Sequence, residues 1–172
     1  MTSKFLLDAD IFIRAKNDHY AMDFCPGFWE WLIAANKSGT VLSIRAVRDE
    51  LIQPTDPDDD EEEEDDLSKW VKADGSDLFQ SHDQPMIDKM PIVAQWAKTQ
   101  RYKAGAVATF LACADYYLIA YALAHDCTVV THEVASNSQA KIKIPDACNG
   151  LKVKCAKPFE MLRSLGAKFV MQ

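Results

Sequence analysis

Three apolar runs in this chain are too short to be helices and too apolar to be loops, and they narrow its possible folds more than any other feature. They are Phe5-Leu6-Leu7, Thr40-Val41-Leu42-Ser43-Ile44 and Cys127-Thr128-Val129-Val130-Thr131. Runs of this kind, rich in aliphatic and β-branched residues, read as strands buried on both faces of a sheet covered by helices. Helical patterns lie between them. Ile11–Asp18 carries Arg14 and Lys16, Phe28–Lys37 follows a turn at Pro26-Gly27 and stops at Ser38-Gly39, and Arg45–Gln53 places Ala46, Val47 and Leu51 on one side. Further helices are expected over Asp65–Lys72, Pro85–Thr99, Ala104–Ala114 and Ala114–His125, whose Ala120, Ala122 and Ala124 permit close approach to a sheet. Residues 73–83 are turn-rich, Ile144-Pro145-Asp146 opens another helical turn, Leu151–Cys155 is an expected fourth strand, and Pro158–Leu165 a terminal helix. Strands alternating with helices predict an α/β fold with a central parallel sheet and helices on both faces.

A length of 172 residues suits one domain with a substantial core. The net charge of −7 argues against a nucleic-acid partner only until its placement is considered. Residues 56–66 hold ten acids and no base, so everything else together carries +3. This run, introduced by Pro54 and Pro57, reads as a solvated acidic loop over about 54–66. A polyanion shielding a nucleic-acid groove and a docking segment for a basic partner are the functional alternatives. Residues 77–114 read as a helical hairpin inserted between strands. The five cysteines show no CxxC pair and no Cys/His metal spacing, which suits a reducing compartment and argues against a structural zinc. No basic segment followed by a long apolar one marks the start, and Ala104–Ala114, the longest strongly apolar stretch, is too short to span a bilayer. A cytoplasmic protein without a membrane partner is therefore expected.

The first run ends abruptly in Asp8-Ala9-Asp10. In open α/β sheets ligands bind beyond the carboxyl ends of the strands, so acids there are placed for metal binding or nucleophilic attack. Capping of the next helix is the plainer explanation. Three more acids recur at comparable positions: Glu50 in the helix after the second run, Asp115 at a helix start, and Glu133 just after the third run. If the first and third runs are neighbouring strands, Asp8 and Glu133 converge, and the start of the Asp115 helix can reach the same edge. Carboxylates crowded together repel, and either raised pKa values or cations relieve that repulsion. Hard oxygen donors select Mg²⁺ or Mn²⁺, which can activate water and orient a phosphodiester. Thr131 is placed to hydrogen-bond a carboxylate, and His132 to assist proton transfer. Asp146 lies near the same edge but, after Pro145, also fits a helix start. Phe28, Trp29 and Trp31 form either a base-stacking platform or packing against the sheet.

The order LLDADIF, then the acid of DEL at 49–51, then ADYYLIAYALAH, then VVTHE closely resembles the PIN domain, a family of metal-dependent ribonucleases. CPGFWEWL, KIPDACN and PFEMLRSLGAKF look like an uncharacterised bacterial and archaeal PIN-like branch. The resemblance covers nearly the whole chain outside the acidic run and the 77–114 region. It implies a three-layer α/β/α sandwich with about four to five parallel strands, Mg²⁺ or Mn²⁺ held by Asp8, Glu50, Asp115 and Glu133, and RNA as substrate. It also implies a possible antitoxin partner, since many members are the toxins of toxin–antitoxin pairs, and a possible homodimer. Two departures stand out: many members have Asp where Glu133 stands, and Asn or Ser where Asp10 stands, making Asp10 a fifth ligand or a helix cap. Arg14, Lys16, Lys141 and Lys143 are then candidates for RNA phosphate contacts, against the alternative of solvated helix faces.

Two other function classes compete. A haloacid-dehalogenase-like phosphatase would use Asp8 and Asp10 as nucleophile and acid, with Ser43 as its second motif, but leaves Glu50 and Asp115 unexplained. A catalytically degenerate module that binds RNA or a partner draws support from Glu133 and the acidic loop.

Overall fold

The computed structural model describes residues 3–52 and 63–171. Positions 54–62 of the expected acidic loop, and Gln53 at the expected end of its helix, lie outside the described residues. Within them the three apolar runs are strands β1 (Phe5–Leu7), β2 (Val41–Ile44) and β4 (Thr128–Val130), joined by β3 (Phe79–Gln80) and β5 (Cys155–Ala156). All neighbours pair in parallel in the order β3-β2-β1-β4-β5. Leu6 lies between Leu42 and Val129 at the centre of the sheet and, like Leu7, is fully buried. A strand covered on both faces has no solvent side to mark with polar residues, which is why the run does not alternate.

The helices are α1 (Ala9–Arg14), α2 (Pro26–Lys37), α3 (Arg45–Leu51), α4 (Asp66–Lys72), α5 (Gln84–Thr99), α6 (Ala104–Ala112), α7 (Ala114–His125), α8 (Ile144–Leu151) and α9 (Pro158–Ser164). On one side of the sheet Trp29 of α2 meets Trp70 of α4 edge-on at 4.8 Å, and its indole N–H donates to the Tyr20 carbonyl at 2.7 Å. Phe12 of α1 closes this layer against Phe79, with ring centroids 5.6 Å apart. On the other side α5 runs along α7, and α8 packs on both. The Tyr116 hydroxyl of α7 ties that layer by donating to the Met90 carbonyl of α5 at 3.0 Å. Right-handed crossovers from this strand order require such a two-sided arrangement, so the fold is the expected three-layer α/β/α sandwich. Phe28 and Trp29 are buried core and Trp31 is half-buried, so these aromatics pack the interior and form no open platform. Among the described residues no single helix is long and apolar enough to cross a membrane.

Several boundaries differ from expectation. The first helix starts at Ala9 and passes into a wider turn over Ala15–His19. The turn-rich 73–83 segment contains β3, an edge strand of two residues with no pattern to reveal it. In the expected hairpin over 77–114, α5 and α6 touch, while α5 lies mainly against α7. The expected strand Leu151–Cys155 is displaced toward the C-terminus. Leu151 ends α8, Lys152 adopts a left-handed conformation (φ 58°), and the Val153 N–H returns to the Cys148 carbonyl at 2.9 Å. This helix exit uses up the residues that looked extended.

Gly150 near the end of α8 lies against the Trp96 indole of α5, where a Cβ would overlap the ring. Gly150→Ala should therefore destabilise the protein by about 1–2 kcal/mol despite its better helix propensity. A thermal melt should show the midpoint lowered by roughly 3–8 °C, whereas Gly105→Ala, with open space at its Cβ, should not lower it.

Candidate functional site

In this strand order the chain travels outward from β1 through β2 to β3, then returns to β4 on the other flank of β1. The crevice beyond the carboxyl ends of β1 and β4 is therefore the topological switch point, where open α/β sheets bind ligands. Asp8 leaves β1 into this crevice, and Thr131, His132 and Glu133 leave β4 into it.

Asp8 is 5% exposed. Its backbone stands at the N-cap of α1, but its side chain caps nothing there; instead its Oδ2 accepts from the Thr131 hydroxyl at 2.9 Å. Its nearest side-chain partner is thus on β4's exit and not in α1. Burial first, and then the Asp115 carboxylate with a smaller push from Glu133, raise its pKa to about 7. Asp115, in the first turn of α7, is raised to about 6 by burial, then by Glu133 and Glu50. Asp115 thus lies within electrostatic reach of the other three expected acids, and Asp8 of Asp115 and Glu133, the four coming from four separate segments.

They are not equivalent. Helices α7 and α8 have no side-chain cap from their own N-cap residues. Glu50, exposed on α3, supplies one across the fold by accepting the Ala114 N–H at 3.1 Å. Glu133 supplies the other by accepting the Ile144 N–H at 2.8 Å. A carboxylate at a helix start satisfies a free N–H and meets the positive end of the helix dipole. Glu133 also draws Lys143 to 3.4 Å and Lys141 to 3.6 Å, and raises the Lys141 pKa. Two acids are therefore committed to structure, while Asp8 and Asp115 carry the electrostatic strain.

The remaining expected residues divide by location. Thr131 is fully buried and works twice, donating to Asp8 and accepting the Glu133 N–H at 3.1 Å. His132 turns away from the acids toward Arg14, His19 and Lys157; burial first, then Arg14, lower its pKa. Asp10, in the first turn of α1, opposes that lowering. Asp146 does start a helix, and both its oxygens accept the Ser136 N–H at 3.1–3.2 Å, anchoring the loop that follows Glu133. Every expected phosphate-binding cation is engaged with an acid: Arg14 with Asp18 at 3.6 Å, Lys16 with Asp65, and Lys141 and Lys143 with Glu133. Ser43, expected as a phosphatase motif, is fully buried inside β2, and its hydroxyl donates to the Leu7 carbonyl at 2.7 Å. It faces no site. One contributor had no signal in the sequence: Lys157, after β5, donates to the carbonyls of both His132 and Glu133 and fixes the direction of that turn.

Among the described residues no three His, Cys, Asp or Glu side chains stand together as a ready-made metal site. The donor set nonetheless suits a hard divalent cation, being carboxylate oxygen throughout, with two members whose raised pKa values a cation would lower.

The buried acids predict a distinctive pH dependence. Between pH 4 and 7 the folded protein holds the Asp8 proton more tightly than the unfolded chain, so this group's contribution to stability falls as pH rises through that window. In EDTA, Asp8→Asn should be more stable than wild type by roughly 2–4 kcal/mol at pH 8 and no more stable at pH 4. Urea unfolding at the two pH values measures this directly.

A family model described as a domain of unknown function (DUF4411) matches residues 5–169. No curated protein and no solved structure matches the chain. From β1 to the residues after α9, with all four acids included, the chain belongs to the DUF4411 family.

Proposed function

We propose that this protein is a Mg²⁺- or Mn²⁺-dependent endoribonuclease of PIN-like type, hydrolysing RNA phosphodiester bonds at the crevice of Asp8, Glu50, Asp115 and Glu133. The observation that carries this reading is a pair of inward-facing carboxylates at the switch point of a parallel sheet, Asp8 and Asp115, both raised toward neutrality by burial and by neighbouring acids. Structural carboxylates are ordinarily held by their partners below the usual carboxylate range, and groups raised in this way concentrate at functional sites. The resemblance of LLDADIF, ADYYLIAYALAH and VVTHE to the PIN domain points the same way.

Asp8 and Asp115 would hold the ion, with Glu133 and Glu50 at its margin, shared with the α8 and α7 helix starts. When bound, such an ion polarises a phosphodiester and brings a water's pKa toward neutrality. The chain's own residues prepare that chemistry. Thr131 fixes the Asp8 carboxylate by its Oδ2. Glu50 and Glu133 seat the two helix N-termini against the site. Lys157 and Asp146 hold the post-β4 loop from either end. An antitoxin protein and a second copy of the chain remain the partners this reading suggests.

A competing reading, a binding module with no catalysis, is favoured by the commitment of Glu50 and Glu133 to helix caps.

Incubation of a mixed tRNA and rRNA pool with Mn²⁺, Mg²⁺ or EDTA separates the two. Wild type should cleave only with metal, and Asp8→Asn and Asp115→Asn should each lose at least about a hundredfold in rate, as expected when transition-state electrostatics are removed. Intact RNA in every lane would favour the binding module. Because Asp8 and Asp115 must lose protons to bind metal, Mn²⁺ affinity measured by calorimetry should weaken by at least about tenfold from pH 8 to pH 5.5.

A further inference from the structure

Beside the carboxylates lies a group of aromatic side chains that hydrolysis does not use. His132 stands between Thr131 and Glu133, just beyond β4, and Phe159 stands in the first turn of α9, just beyond β5. His19 ends the turn after α1, where the backbone widens so that the Tyr20 N–H reaches the Ala15 carbonyl at 2.6 Å. Such widened turns recur at functional sites. Because β1, β4 and β5 are parallel, all three segments leave the sheet at the edge that bears Asp8.

The rings meet. His19 lies 5.8 Å from His132 and 5.7 Å from Phe159, the latter edge-on. Their cleft is floored by buried Ile11, Ala15 and Met161. Phe159 is 43% exposed and His19 is also exposed, so large aromatic surface faces solvent there. Arg14 and Lys157 stand on the same flank, with Asp10 opposing them. Arg14 meets Asp18 at 3.6 Å in an exposed pair of the kind that contributes little stability, and Glu160 accepts the Lys157 backbone N–H at 2.7 Å. Exposed rings next to cations are the means by which proteins hold an unstacked base and its phosphate, because every base offers a π-face.

We propose that His19, His132 and Phe159 form a stacking subsite for one unpaired nucleobase of single-stranded RNA, adjacent to the carboxylate centre. This rests on the nuclease reading and gives the substrate one fixed base position, with little dependence on base identity. A duplex keeps its bases stacked on each other and presents none to the cleft.

Binding in EDTA tests the subsite apart from cleavage. A short fluorescein-labelled oligoadenylate is titrated with the full chain and read by anisotropy. Phe159→Leu keeps apolar bulk but removes the π-face, and should weaken binding by about five- to fiftyfold, whereas Phe159→Tyr should stay within about twofold of wild type. The same RNA in a duplex should bind more weakly and ignore Phe159. A photocrosslink from 4-thiouridine should map to the peptide bearing His132 or Phe159. Equal affinity for Phe159→Leu and wild type, no binding by wild type, or a crosslink elsewhere would overturn the subsite. Cleavage without Phe159-dependent binding retires the subsite alone, and Phe159-dependent binding without metal-dependent cleavage retires the nuclease reading alone.

Discussion

The Thr131 hydroxyl holds the centre of this molecule together. It donates to the buried Asp8 carboxylate and accepts the Glu133 N–H, so one side chain ties the ends of β1 and β4 at the point where the sheet's order reverses. A buried carboxylate without a partner is among the most costly features a core can carry, and Thr131 is the side chain that reaches Asp8. The bond to Glu133 then aims that side chain at the start of α8, and Lys157 reinforces the same turn from β5. A sequence of contacts therefore runs from the innermost strand to the outer helix layer through a single hydroxyl.

The four acids around this point separate into two physical kinds. Glu50 and Glu133 sit where helix N-termini offer unsatisfied N–H groups, and their negative charge is welcome there. Asp8 and Asp115 sit where burial and neighbouring carboxylates oppose their charge. Four acids at one sheet edge are tolerable because Glu50 and Glu133 meet helix N-termini, and Glu133 meets Lys141 and Lys143 as well. The other two keep their protons up to near-neutral pH.

Much of this was legible in the sequence, for identifiable reasons. Asp8 and Glu133 stand at the ends of unmistakable buried strands, and neighbouring parallel strands bring their ends together whatever the loops do. Asp115 was marked by the long apolar helix it opens. The packing role of Phe28 and Trp29 followed from helical spacing beside a sheet. What stayed hidden was short or non-local. β3 was missed and β5 misplaced by a few residues: each is two residues long and is a strand only because β2 or β4 offers it a ladder. The caps bridge 64 residues in one case and 11 in the other, so the local window around α7 or α8 reveals no capping residue. His132 was expected at the acids because it is their chain neighbour. The turn after β4, closed by the Glu133 N–H on the Thr131 hydroxyl, instead leaves His132 beside Arg14 and His19.

The division among the acids also bears on how such a chain would age once its chemistry no longer mattered. Selection for folding alone would keep Glu50 and Glu133, since each secures a helix start, and would favour exchange of Asp8 and Asp115 for neutral side chains. An inactive descendant should thus retain half of the acidic signature, and that half would be the uninformative one. In this architecture the residues that best report a living catalytic centre are the two that make the fold worse.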